Sequence, residues 1–148
     1  MTSKVLLVAI LAATSLTAQR AAAPVTLIAG AEITEAFVKG RPLIENDAYK
    51  VHASRREAPG QAEVHTLDTD IFYVLEGSAT IVTGGEAVGL KDTAANEQRG
   101  ASIKGGATRR LAKGDVFIIP NGVPHQFTEV QGPFLYYTVK VTQTGGRS

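Results

Sequence analysis

The 148-residue chain carries 15 Lys and Arg residues against 14 Asp and Glu residues, so its formal net charge is +1. This balance predicts no nucleic-acid partner, because such partners need a concentrated positive charge. The chain has no cysteine, so a metal site would use histidine and carboxylate ligands rather than thiolates.

The first 23 residues are typical of a secretory signal peptide. Lys4 supplies a short basic region, and residues 5–13 form an apolar stretch that is too short to span a bilayer. Small residues follow, and cleavage is predicted between residues 18 and 23. We therefore expect an exported chain, periplasmic or secreted, with no membrane anchor after cleavage. The alternatives are an uncleaved anchor and a buried N-terminal helix.

Residues 24–48 are predicted to form an N-terminal extension that contains a short helix. Within Ala31–Lys39, the apolar residues Ile33, Ala36 and Phe37 recur at the spacing of one helix face. The helix is expected to cover one end of the domain that follows.

From Tyr49 onward, short apolar or alternating segments are separated by turn residues, which favours an all-β sandwich or barrel over residues 49–141. Residues 86–106 are rich in Gly, Ala and polar residues and predict a long surface loop, which could act as a lid. Residues 142–148 predict a disordered tail. The predicted strands are 49–55, one that starts at Glu63, 70–75, 78–83, 108–111, 116–119, 125–130 and 134–141.

Two segments resemble the sequence motifs of the cupin family. The segment from Gly114 to His125 has the spacing Gly-x5-Pro-x-Gly-x2-His, which is similar to the second cupin motif. The segment that follows Asp70, FYVLEG, is similar to the end of the first motif. The resemblance covers residues 49–141 and implies a double-stranded β-helix, or jelly-roll barrel. Such barrels often bind a divalent metal and often form homodimers.

The resemblance also implies a ligand set. The first cupin motif has two histidines with one residue between them, and a glutamate follows after three or four further residues. With Asp70 in the acidic position, His65 takes the second histidine position and Glu63 takes the first. Together with His125, these residues are the implied ligands of Fe, Mn, Ni or Zn. The chain departs from the family pattern in the two carboxylates, in a shorter spacing before Glu63, and in Glu129 at the position of an asparagine.

The residues themselves permit such a site. Glu63 and His65 are two positions apart, so both side chains point to the same face of a strand. Two imidazoles with one or two carboxylates form a ligand set that suits these metals. The alternatives are that Asp70 caps the start of its strand and that Glu63 is a solvent-facing charge.

The third histidine, His52, is a possible alternative ligand or a hydrogen-bond partner of a ligand. A simple hairpin around Pro59 and Gly60 would place His52 on the same face as His65. The alternative is an ordinary surface histidine.

Two arginine pairs flank the predicted strands, at residues 55–56 and 109–110. Such pairs usually place one arginine inside the barrel and one outside, so one from either pair could bind a substrate carboxylate at the mouth of the barrel, and Arg55 and Arg110 are the candidates. Phe72 and Tyr73 are candidates for lining an apolar pocket. Solvation of both arginines is the alternative.

Three functions follow from these patterns. The first is a metal-dependent enzyme that acts on a small organic molecule, and the family resemblance implies oxygenase, isomerase or lyase chemistry. The second is a non-catalytic, metal-free barrel that binds a small ligand. The third is a structural or interaction role, with an apolar face used for dimerisation. Whether the protein is an enzyme is left open by the sequence.

Overall fold

The computed structural model describes residues 23–143, which form one helix and eleven strands. Most of the predicted signal peptide and residues 144–148 of the predicted tail lie outside the described residues. Between residues 23 and 143, no helix has the length and apolar character needed to cross a membrane. The helix is α1 (Gly30–Lys39), and the strands are β1 (Arg41–Glu45), β2 (Tyr49–Arg56), β3 (Ala62–His65), β4 (Asp68–Thr83), β5 (Glu86–Val88), β6 (Lys91–Ala94), β7 (Glu97–Gly100), β8 (Ser102–Lys104), β9 (Ala107–Ala112), β10 (Val116–Ile119) and β11 (His125–Thr142).

Two long strands, β4 and β11, hold the fold together. They pair antiparallel from Thr83 opposite His125 to Asp68 opposite Thr142. The main sheet runs in the order β1-β2-β11-β3-β7-β6, while β4 also pairs with β9 and β10. The result is a curled, antiparallel, mostly β fold with one short helix, which confirms the predicted jelly-roll barrel.

Each long strand was predicted as two shorter ones, because its buried face changes phase in the middle. In β4 the buried residues have even numbers before Gly77 and odd numbers after it, and in β11 the reverse change occurs around Gly132. An extra residue at a β-bulge causes such a change, and the β4–β11 register has irregularities in this region. Gly77 has a φ of +75°, and a Cβ atom there would lie 2.6 Å from the carbonyl oxygen of Pro133. The bend therefore depends on a glycine.

Apolar side chains from both halves of β4 and of β11 form the core. Phe72, Ile81, Phe127 and Phe134 are buried there with other apolar side chains, and the ring centroids of Phe72 and Phe127 are 5.9 Å apart. This apolar cluster fixes the strands that carry the polar residues of the cavity described below.

The helix prediction is confirmed with one added residue, since α1 spans Gly30–Lys39. Ala36 and Phe37 are buried against Ala53 of β2, and the Phe37 ring meets the Tyr137 ring edge-on with 5.2 Å between centroids. The extension therefore packs against the outside of the barrel.

The prediction of a long surface loop at residues 86–106 is wrong. This segment contains four short strands: β7 pairs with both β3 and β6, and β5 pairs with β8. All four residues of β6 are exposed. These strands form through backbone hydrogen bonds with little apolar burial, so they leave no hydrophobic period in the sequence.

The simple hairpin that would join the strands of His52 and His65 does not form. β2 and β3 do not pair with each other, because β11 lies between them in the sheet. After the turn at Pro59 and Gly60, the chain therefore enters a strand that is not the hydrogen-bonded neighbour of β2. Likewise, Thr142 belongs to β11 rather than to the predicted tail.

Candidate metal centre

Strand pairing brings distant polar residues to one cavity. His125, the first residue of β11, is the direct partner of Glu63 in β3, and His65 lies two residues further along the same face of β3. In the other half of β11, Lys140 is the direct partner of Asp70 in β4. Because the sheet curls on itself, these five side chains line one cavity of about 310 Å³.

Three of the four implied ligands form one close group, and the fourth, Asp70, has its Oδ2 atom 3.9 Å from His125 Nε2. Glu63, His65 and His125 each offer one ligand atom, and these atoms all lie within 4.8 Å of one another. The Nε2 atom of His65 is 3.8 Å from an Oε atom of Glu63. Both histidines are buried, while Glu63 is partly exposed. Two imidazoles and one carboxylate, with further positions left open, suit divalent iron and related metals.

The protonation and orientation of His125 favour metal binding. Its Nδ1 atom donates a hydrogen bond to the carbonyl oxygen of Val123 at 3.2 Å, so Nε2 is the nitrogen available to a metal. Burial lowers the pKa of His125, against the opposing attraction of Asp70. His125 is therefore neutral near pH 7, which is the form that binds a metal ion.

Asp70 is held by the ammonium group of Lys140, whose side chain is 13% exposed. The Lys140 ammonium donates to both Asp70 oxygens, at 2.8 and 2.9 Å, and contacts the Nε2 atom of His65 at 2.9 Å. Burial opposes ionisation of Asp70, but the contact with His65 and the charge of Lys140 outweigh burial and lower its pKa. Asp70 is therefore an anion whose two oxygens both accept from Lys140, and its Oδ2 atom lies 3.4 Å from His65 Nε2.

Glu63 also has a protein partner. The Nη1 atom of Arg99 donates to Glu63 at 3.2 Å, and the same guanidinium is bound by Glu97 at 2.7 Å. The second carboxylate oxygen of Glu63 faces His65. One oxygen of Glu63 can thus bind a metal while the other accepts from Arg99.

The donor set fits a divalent ion on one condition. Glu63, His65 and His125 supply ligand types of the right chemistry, and His125 already presents the right nitrogen. The ammonium of Lys140, however, contacts the nitrogen of His65 that a metal would use. A metal would therefore require Lys140 to release His65 while it keeps its hydrogen bonds to Asp70.

The structure places His52 at the edge of the cavity rather than among the ligands. Its Nε2 atom bonds with Glu45 of β1 at 2.8 Å. His52 does line the cavity, but β11 lies between its strand and that of His65.

The four predicted substrate-binding residues separate into one that lines the cavity and three that do not. Phe72 lies in the cavity wall. Tyr73 points the other way and is 46% exposed. Arg55 is bound to Glu57, and Arg110 donates to Ser78 and Gln131 on an exposed surface.

Two cations of the cavity wall, Arg99 and Lys140, were not among the predicted site residues, and of the predicted pair at residues 55–56 it is Arg56 rather than Arg55 that lines the cavity. The alternation of β11 could have indicated Lys140, because it follows Tyr136 and Thr138 at two-residue steps on the inward face. Arg99 gave no comparable signal, since it lies in the segment whose strands have no apolar period.

The comparisons with known proteins agree on the fold. The family model for Cupin matches residues 20–147. A search among curated proteins gave no match.

Solved structures that resemble the chain have low sequence identity. Protein BH2720 from Bacillus halodurans has a TM-score of 0.57 at 15% identity, with 83% of this chain and 86% of that chain covered. The DMSP lyase DddQ from Ruegeria pomeroyi has a TM-score of 0.51 at 18% identity, with 72% of this chain and 48% of that chain covered. KdgF from a Halomonas species has a TM-score of 0.50 at 18% identity, with 71% and 80% covered. This chain thus spans about half the length of the lyase.

The match extends over most of the chain, and the described strands form the barrel that it implies. The chain belongs to the cupin family.

Proposed function

We propose that the chain is a metal-dependent cupin that binds and acts on a small organic molecule inside its barrel. The observation that carries the proposal is the convergence of one ligand atom each from Glu63, His65 and His125, within 4.8 Å, at the wall of an open cavity. Such a ligand set leaves coordination positions for a substrate oxygen.

The residues around the ligands have separate roles in this proposal. When bound, the metal would supply an open position that polarises a substrate oxygen or binds dioxygen. Arg99 fixes one oxygen of Glu63, and Val123 fixes the tautomer of His125. The Asp70–Lys140 ion pair lies beside the ligands and places a positive charge next to His65. Oxygenase, isomerase and lyase chemistry are the candidate reaction classes, which product analysis would separate.

Metal-dependent thermal stability tests the proposal. After treatment with EDTA, adding Fe²⁺, Mn²⁺, Ni²⁺ or Zn²⁺ should raise the Tm of the wild-type chain, because a ligand that binds only the folded state stabilises it. The Glu63→Gln variant should respond less to the same ion. An equal response of the two proteins would contradict the assigned ligand set.

The second candidate is a metal-free barrel that binds a small ligand. The observation that favours it is the contact between Lys140 Nζ and His65 Nε2 at 2.9 Å, since a built-in cation occupies the neighbourhood of the metal ligands. In that case none of the four ions would raise the Tm, while small organic ligands would.

We also propose that the protein is a homodimer. Val116 of β10 pairs with Tyr73 of β4, and both are exposed on the outer face of the sheet together with Ile118. Contiguous apolar surface of this kind favours association. Light scattering after size exclusion should give twice the chain mass, and Ile118→Lys should shift the protein toward the monomer. A wild-type monomer would contradict this proposal.

Export is proposed on the sequence of residues 1–23. The mature protein recovered from its native source should start between residues 19 and 24. A mature chain that keeps its initial Met would contradict it.

A further inference from the structure

Arg56 lies at the end of β2, with its guanidinium in the cavity wall. Its Cζ atom stacks over the Phe127 ring at 4.6 Å from the centroid. A Cβ atom at position 60 would lie 2.5 Å from Arg56 Nη1, so glycine at this position makes room for the guanidinium. The head group of Arg56 is therefore positioned by packing on two sides.

Arg56 has few polar partners despite this fixed position. Its ion pair with Glu63 spans 3.9 Å, which is too long for a hydrogen bond. The same Glu63 oxygen already accepts from Arg99 at 3.2 Å. Moreover, Arg56 Nε is buried without a hydrogen-bond partner. Buried donors of this kind are rare in folded proteins and call for an explanation.

The neighbouring residue, Arg55, differs from Arg56 in its polar contacts. Arg55 points to the other side of β2, and its Nε atom donates to Glu57 at 2.9 Å. Arg55 is therefore paired with a carboxylate, whereas Arg56 has the Tyr136 hydroxyl beside it but no carboxylate within hydrogen-bond distance.

The charges of the cavity indicate what Arg56 can bind. The carboxylates that line it are Glu63, Asp70 and Glu97. Asp70 is held by Lys140, and the two glutamates are both bound by Arg99. Among the described residues that line the cavity, this leaves the Arg56 guanidinium as the cation without a close anionic partner. A divalent ion at the proposed centre would add further positive charge.

We propose that Arg56 anchors the carboxylate of a small organic acid inside the barrel. The planar guanidinium matches a carboxylate in a two-pronged contact. The rest of the acid would lie against Phe72 and Tyr136, with its far end toward His65 and His125, all of which line the same cavity. A carboxylate suits the site better than a phosphate, because it presents only the two oxygens that the guanidinium fork takes, whereas a phosphate adds oxygens that would need further donors.

This inference rests on the proposed function in one respect, that the cavity takes a small organic molecule. It does not depend on a bound metal. It also moves the predicted carboxylate-binding role from Arg55 and Arg110 to Arg56.

Calorimetric titration with succinate tests the proposal on metal-loaded protein and on EDTA-treated protein. Arg56→Met keeps an unbranched side chain over Phe127 but removes the charge, and it should weaken succinate binding by about 10- to 100-fold. Arg56→Lys keeps the charge without the planar fork and should give an intermediate loss. Arg55→Met is the matched control on the outer side of the same strand and should bind as the wild type does.

Three results would overturn the proposal. One is the absence of succinate binding by the wild-type protein. Another is equal binding by Arg56→Met when that variant keeps the wild-type Tm. The third is tighter binding of inorganic phosphate than of succinate, which would contradict the assigned ligand class.

The two arms separate this inference from the metal proposal. Succinate binding that survives EDTA and depends on Arg56 would support the carboxylate subsite even if the metal proposal failed. If the protein holds stoichiometric metal but Arg56→Met binds succinate as tightly as the wild type does, the metal proposal is supported and the carboxylate subsite is rejected.

Discussion

Lys140→Met is the substitution that probes the cavity most sharply. It removes the ammonium that donates to both oxygens of Asp70 and contacts His65 Nε2. Asp70 is only 2% exposed, so the variant leaves a buried carboxylate without its cation. Breaking a buried ion pair in this way costs about 3–5 kcal/mol.

The expected change is large enough to measure by thermal or urea unfolding. For a chain of this size the loss corresponds to a fall in Tm of about 10–20 °C. The double variant Asp70→Asn/Lys140→Met removes both charges, and it should recover most of the lost stability. Such recovery would identify the unpaired charge, rather than lost packing, as the cause.

The same variant should bind metal more tightly. Two unit charges 4 Å apart interact by about 4 kcal/mol at an effective dielectric constant near 20. Removing the ammonium beside His65 should therefore strengthen Mn²⁺ or Ni²⁺ binding by at least about tenfold, or 1.4 kcal/mol. It would also free Asp70 to act as the fourth ligand that the sequence predicts.

Two results would refute this reasoning. A loss of less than about 1 kcal/mol in Lys140→Met would mean that the buried pair is not formed as described. Unchanged or weaker metal binding by a folded variant would mean that Lys140 does not compete for His65.

The remaining predictions concern acid sensitivity and the bend of the barrel. Burial opposes ionisation of Asp68, but hydrogen bonds, above all from Lys50 at 2.6 Å, lower its pKa below the ordinary value of 3.8. Its stabilising contribution is therefore fully present above that value and is lost as the pH falls below it. When the free energy of unfolding is measured while the pH is lowered through this range, Asp68→Asn should lose less stability than the wild type. The exposed control Asp47→Asn should lose as much as the wild type. Equal losses in all three proteins would contradict the assignment. Gly77→Ala should cost at least about 1–3 kcal/mol in urea unfolding, since it needs a positive φ and a Cβ atom would meet backbone. The control Gly30→Ala has open space at the helix start and should change stability little, so similar losses in both variants would refute the proposed role of the bend.

The sequence predicted an all-β fold because short apolar or alternating segments are separated by turn residues, and the resemblance to cupin motifs implied the jelly-roll barrel. The helix and the segment 116–119 were placed almost to the residue. The joins at Gly77 and Gly132 were missed, because a bulge shifts the buried face by one residue and makes one strand resemble two. The strands within residues 86–106 were missed because they bury too little apolar surface to leave a pattern.

The candidate site was predictable only in part. Glu63, His65 and His125 could be assigned from motif spacing, and the structure brings their ligand atoms together. Lys140 carries no motif, and its effect depends on its pairing with Asp70 across seventy residues of sequence. Such a contact follows from strand register, which the sequence alone did not provide.

Metal content of the purified, folded protein is the most direct test of the proposed centre. After metal is added back and excess is removed, elemental analysis should find about one divalent ion per wild-type chain. His65→Ala and His125→Ala should lose it, whereas His52→Ala should keep it, because His52 is bound to Glu45 at the cavity edge. A metal-free wild-type protein, or metal retained in both ligand variants, would contradict the account.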